Sequence, residues 1–147
     1  EIPESGSLFA STEDLESCSG LALGSPTRFG NMAAPLKYFL DTATAAWIKG
    51  SLENKPACVF TSSGSIHGGN ESTLLAMQLP LFHLGMIIMG VPYSVPALSN
   101  SSAGGTPYGA SHVGGEKNDN PITEDEKKIC IAQGVRLAEV AKKINSK

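Results

Sequence analysis

The sequence predicts a single α/β domain over residues 1–147, an open parallel sheet with helices on both faces. Three short apolar runs, GLALG at 20–24, ACVFTSSG at 57–64 and MIIMGVP at 86–92, have the continuous character of strands buried on both sides. Helical periodicity separates them, and the order β, α, β, α, β, loop, α is that of a parallel open sheet. The first two runs pass straight into turns rich in glycine and hydroxyl groups, at the carboxyl ends of strands where such sheets bind ligands.

Taken in order, the opening EIPESGSLFAST is polar, punctuated by Pro and Gly, and does not start with Met. It reads as a loop ahead of a domain's later half, with about 60 further residues expected upstream, the size of one strand–helix–strand unit with its connecting loop. After the run at 20–24, a helix is expected from about Ala33 to Trp47, with Leu36, Phe39, Leu40 and Ala43 on one face. A second helix follows Asn70, carrying Leu74, Leu75, Met77 and Leu81, with Pro80 expected to kink it. Residues 94–121 collect Gly, Ser, Asn and Pro and read as a long loop. The last helix begins at Thr123, whose hydroxyl and Glu126 have the spacing of a capping box. Ile129, Ala132, Val135, Leu137, Ala138 and Ala141 are its expected apolar face, with lysines at its carboxyl end.

Composition narrows the function. A chain of 147 residues buries roughly 70% of its unfolded surface, so a real core is expected. With 17% charged residues, a net charge of −3 and no basic stripe, nucleic acid is not the expected partner. No run reaches the ~18 apolar residues of a membrane span. Cys18, Cys58 and Cys130 are odd in number and set among apolar neighbours, and read as reduced core residues of a cytoplasmic protein. They and His67, His83 and His112 lack metal-ligand spacing, so no metal is expected.

The turn GSPTRFGN at 24–31 joins a proline, a hydroxyl, an arginine, an aromatic ring and an amide behind a buried strand. With TSSGSIHGGNE it supplies small residues that admit a close backbone, hydroxyls, and free N–H groups, the needs of a planar ligand with a polar rim and apolar faces.

GSPTRFGNMAAPLKYFLD, the following Trp47, TSSGSIHGGNE, LFHLGMIIMGVPYS and GGTPYGASHVGG together resemble the WrbA family of flavodoxin-like NAD(P)H:quinone oxidoreductases, from about Asp14 to the C-terminus. The resemblance implies a flavodoxin-like fold, FMN as cofactor, NAD(P)H as co-substrate, two-electron reduction of a quinone by alternating donor and acceptor, with hydride passing through flavin N5, and a homotetramer. It places Thr27, Arg28 and Phe29 against the isoalloxazine. The loop of Ser62, Ser63, Gly64, Ser65, Ile66, His67 and Gly68 is placed along the flavin's pyrimidine edge and ribityl chain. It makes His83 the histidine near flavin and substrate, and so the candidate catalytic residue. Trp47 lines the substrate pocket, and Tyr93 is an aromatic offered by a neighbouring subunit. The family's amino-terminal strand and phosphate-binding loop have no counterpart here, which leaves the expected sheet incomplete and the 20–24 strand with an open edge. Alternatives stay open: His83 as a helix-end residue, Trp47 as core, Arg28 as an ion-pair partner, and the whole as a one-electron flavodoxin carrier or a non-catalytic oligomer-forming module.

Overall fold

The computed structural model describes residues 5–146. The elements are α1 (Thr12–Ser17), β1 (Leu21–Arg28), β2 (Asn31–Met32), α2 (Ala34–Thr42), α3 (Thr44–Lys49), β3 (Pro56–Ser63), α4 (Asn70–His83), β4 (Ile87–Ile88), α5 (Ala97–Asn100), β5 (Ala110–Val113) and α6 (Glu124–Asn145). Strands β1 and β3 run parallel in register from Leu21 opposite Ala57 to Pro26 opposite Ser62. On its other flank β3 pairs in parallel with β4 at its start (Pro56 and Ala57) and with β5 at its end (Phe60–Ser63). The intervening chain, 89–109, leaves the sheet and returns, so β4 and β5 behave as one interrupted strand.

The period of two along each strand sorts side chains between faces. Leu23, Ser25, Ala57, Val59, Thr61 and Ser63 are buried on one face, beneath α2 and α4. There Leu40, Ala43, Leu74, Met77 and Leu81 complete the core. On the other face lie Ala22, Gly24, Pro26, Cys58, Phe60 and Ser62, and α6 covers chiefly the β3–β5 side, reaching β1 near its start through Leu137 and Ala141. Its inward stripe is Glu126, Ile129, Gln133 and Ala141. Gln133 bridges two strands, its Nε2 donating to Val59 O (2.9 Å) and its Oε1 accepting from Ala110 N (2.7 Å). Ile129 anchors a second cluster with Val91, Ala97, Leu98 and Ala110.

Several expectations need correction. The first strand does not end at residue 24. It continues through Pro26, Thr27 and Arg28 and turns back into β2 across a two-residue hairpin, Phe29 and Gly30. Both have positive φ (52° and 75°), as a hairpin with the favoured twist requires. The helix expected over 33–47 is broken at Ala43 (φ −78°, ψ 11°) into α2 and α3. The third apolar run contributes only Ile87 and Ile88 to the ladder, because the chain departs along 89–109. The expected loop at 94–121 contains α5 and β5. Helix α4 extends from Asn70 to His83 with Pro80 inside it, and Leu75 lies outside rather than in the core. On α6, Val135 and Ala138 face solvent while the polar Glu126 and Gln133 point inward. Cys58 is buried, but Cys130 is exposed, against the expectation of three core cysteines. The capping box at Thr123 and Glu126 is present as expected, and Ser11 with Asp14 makes another at α1. Of the opening segment, residues 1–4 lie outside the described residues.

Candidate functional site

At the carboxyl ends of β1 and β3 the hairpin tip meets the loop that leads into α4. Thr27 makes this junction, its Oγ1 donating to Gly69 O at 3.2 Å and lying in hydrogen-bond contact with Thr73 Oγ1. Gly69 (φ 104°) is the close approach: a Cβ there would sit 2.9 Å from Gly30 Cα. Arg28 folds its guanidinium back onto Thr27 O at 2.8 Å. Phe29 is fully exposed, its ring packed against nothing while its backbone is held left-handed. That arrangement stabilises the fold little and presents an aromatic face at the mouth of the loop.

The loop 62–69 is tied to itself. Ser63 Oγ donates to Ser65 O (2.6 Å), Gly68 N to Ser65 O (3.1 Å), and Asn70 Nδ2 to Ile66 O (3.2 Å). Among the described residues no protein acceptor meets the backbone N–H groups of Ile66 and His67. Asn70 is buried, and its Oδ1 has no hydrogen-bond partner. A third segment joins here, because Gly114 N donates to Ser63 O at 2.8 Å and brings residues 113–115 beside Gly64.

Below that segment, Glu126 organises the start of α6. Its Oε1 accepts from Gly104 N (2.9 Å) and Val113 N (3.0 Å), and its Oε2 from Thr123 N (2.7 Å), with His112 Nδ1 at 3.2 Å. Burial pushes the carboxyl pKa up, but these hydrogen bonds, led by the Thr123 and Val113 N–H groups, outweigh it and hold the pKa below its ordinary value.

A model of the NADPH-dependent FMN reductase family matches residues 3–98. The chain is 41% identical over 138 residues to a Geobacter sulfurreducens protein named NAD(P)H dehydrogenase (quinone), covering 92% of this chain and 68% of that one. A Geotalea daltonii protein of the same name is 41% identical over 134 residues, covering 90% of this chain and 65% of that one. The chain thus spans about two thirds of the length of these curated relatives. The chain belongs to the NADPH-dependent FMN reductase family. Its fold is shared with a flavodoxin, WrbA-like protein from Agrobacterium tumefaciens, with a TM-score of 0.66 at 19% identity, covering 89% of this chain and 71% of that one. Fold class and family therefore agree with what the motifs implied.

Within this family member the candidate residues fall into separate groups. Thr27, Arg28 and Phe29 stand beside the loop Ser62–Gly68. His83 and Trp47 come together elsewhere, in a pocket of about 370 Å³ with Asp41, Thr44 and Pro80. Helix α4 carries Asn70 at one end and His83 at the other, roughly 20 Å apart at 1.5 Å per residue. The two groups are therefore at opposite ends of the sheet in one chain. Tyr93 is exposed beyond β4 and joins neither. Gly69, Asn70, Thr73 and the 113–115 segment also reach this junction, and the sequence marks them only by the glycines of GGNE and SHVGG. Glycines flanking a short polar run were the available signal.

Proposed function

We propose that the chain acts in FMN-dependent two-electron reduction of quinones by NAD(P)H. The observation that carries this is the junction at Thr27, where an unpacked aromatic, a glycine-lined loop with free N–H groups and a buried unpartnered amide oxygen converge at the carboxyl ends of two parallel strands. These groups fit a flat heterocycle with apolar faces and a rim of donors and acceptors. FMN, when bound, supplies a two-electron carrier at its N5, so that NAD(P)H and quinone take turns at one place.

The chain's own share is binding, orientation and exclusion of water. Phe29 offers a ring face, Thr27 fixes the hairpin against Gly69, and Arg28 places a positive charge at the mouth. The loop Ser62–Gly68 meets the polar rim through its N–H groups, which favour negative charge developing there. His83, Trp47 and Tyr93 act on the site of a neighbouring copy in a homotetramer. Leu75, Leu79 and Phe82, exposed along the outer side of α4 beside that pocket, support an interface between copies. The chain is a single domain, and three cysteines without a disulfide fit the reducing cytoplasm. Among the described residues, no helix is long and apolar enough to cross a membrane.

FMN titration of Thr27→Ala and Phe29→Ala tests the reading. Affinity is expected to fall by up to about a hundredfold, the effect of one lost contact of roughly 0.5 to 3 kcal/mol, with the circular dichroism unchanged. Unchanged FMN affinity, or NADH consumption indifferent to added quinone, sinks the reading.

A further inference from the structure

Strand β5 runs directly into the candidate site, and a side chain holds its far edge. Its ladder with β3 sets His112 opposite Ser62 and Val113 opposite Ser63, the two residues with which the loop Ser62–Gly68 begins. Gly114 N then donates to Ser63 O at 2.8 Å, and Ser63 Oγ donates to Ser65 O at 2.6 Å, so the position of residues 113–115 is passed to the loop through two short hydrogen bonds. Successive N–H groups of a strand point to opposite edges. With Gly114 N turned to β3, the N–H of Val113 faces away from it. Among the described residues no strand pairs with that edge, and Glu126 Oε1 accepts the Val113 N–H at 3.0 Å. Asn120 also holds the segment, its N donating to Gly114 O (2.9 Å) and its Nδ2 to Val113 O (3.2 Å), but from an exposed position where water competes. Glu126 is buried.

We propose that Glu126 is a positioning residue for the loop Ser62–Gly68: its carboxylate fixes Val113 and, through Gly114 and Ser63, sets where the free N–H groups of the loop point. The proposal rests on the reading that this loop meets the rim of the flavin. Beyond Val113, the same carboxylate accepts from Gly104 N and Thr123 N, with His112 Nδ1 as a fourth contact, and so gathers the 101–105 turn, the end of β5 and the start of α6 at one point. A hollow of about 310 Å³ is lined by those three segments, at Ser102, Ala103, Val113 and Thr123, and by Ile66 from the loop. The segments that Glu126 gathers are thus also the wall that the loop tip faces. A glutamine serves worse for a reason of valence: its amide nitrogen donates, and it has to face either the Thr123 N–H or the Gly104 and Val113 pair. Gln133 is the natural comparison. It too is buried on α6 and bonds backbone, but at Val59 and at Ala110, the start of β5, away from residues 113–115.

Native-state amide exchange, followed by NMR on the chain without FMN, reads the loop at Gly114 and Gly68, whose N–H groups bond Ser63 O and Ser65 O. Glu126→Gln is expected to speed exchange at both by at least about tenfold beyond any change at Leu74 in α4, and to weaken FMN binding at least about fivefold in a titration. Gln133→Leu removes a tie of the same helix without touching residues 113–115. It is expected to lower the urea midpoint while leaving exchange at Gly114 and Gly68, and FMN affinity, within about twofold. His112→Leu takes one contact from the carboxylate and keeps the other three; it is expected to move the same amides in the same direction by a smaller factor, and it carries the comparison if Glu126→Gln does not fold. Equal loosening of Gly114 and Gly68 in Glu126→Gln and Gln133→Leu makes Glu126 an ordinary tie of the fold and overturns the proposal, as does a loosened loop with unchanged FMN affinity. A native chain that takes up no FMN overturns the function proposed for the loop, while the exchange rates still decide whether Glu126 holds it.

Discussion

The two faces of one sheet make an instructive contrast. Residues of β3 alternate between them, yet Val59 is fully buried against Leu23, Leu74 and Met77 while its neighbour Phe60 is nearly half exposed. The face under α2 and α4 is a packed hydrocarbon core with Thr61 and Ser25 pinned by hydrogen bonds, Thr61 Oγ1 donating to Ser25 O at 2.8 Å. The face under α6 combines a smaller apolar cluster around Ile129 with polar ties, Gln133 to two strands and Glu126 to three backbone N–H groups. One face takes its stability chiefly from buried area, the other from less buried area and a few hydrogen bonds that fail badly if a partner is removed.

The largest effect that sharpens this contrast is expected at Leu74, which has no exposed surface. Leu74→Ala leaves a cavity under β3 and is expected to cost about 3 to 5 kcal/mol in urea denaturation. A loss below about 1 kcal/mol breaks the claim that this face carries the core. Next comes Glu126. Glu126→Ala strips three backbone donors of their acceptor and is expected to cost about 2 to 3 kcal/mol at neutral pH. Because the folded pKa lies below the ordinary value of 4.5, this stabilisation is fully present above about that pH and is lost as the pH falls through the folded value. Urea midpoints of the native chain are therefore expected to drop between pH 5 and pH 3 more steeply than those of Glu126→Gln. Parallel slopes break the assignment.

The same contrast explains what was legible in the sequence. Runs such as ACVF and the Thr123–Glu126 spacing carry their structure locally, through β-propensity and a side chain that reaches back three residues. Strand β5 does not: Ala110–Val113 is short, half polar and flanked by glycines, and only its pairing with Phe60–Ser63 makes it a strand. The inward stripe of α6 was hidden for the same reason, since Glu126 and Gln133 look like solvent residues until the backbone groups they serve are brought to them. The extension of β1 through Pro26 is possible because that edge has no ladder there to lose an N–H from. At the site, Thr27, Arg28 and Phe29 were legible as motif residues. Gly69, Asn70 and Thr73 entered only once the hairpin folded onto α4.

The smallest effect is expected at Phe60. Phe60→Ala removes a ring already in contact with water and is expected to change stability by less than about 1 kcal/mol, several times less than Leu74→Ala on the opposite face. A cost equal to that of Leu74→Ala shows that the α6 face is as much a hydrocarbon core as the other.

The place of Trp47 has an optical consequence. It is the sole tryptophan of the chain, half-exposed on α3 at the amino end of the sheet, while the Thr27–Gly69 junction is at the other end. Its emission is therefore a report from one known spot. A chromophore seated at the junction shortens the excited-state lifetime by energy transfer through space and leaves acrylamide's access to the indole as it was. A protein surface laid over α3 does the opposite, shielding the indole from the quencher with no acceptor present. Lifetime and quenching, read on the same residue, tell occupancy at one end of the molecule from assembly at the other.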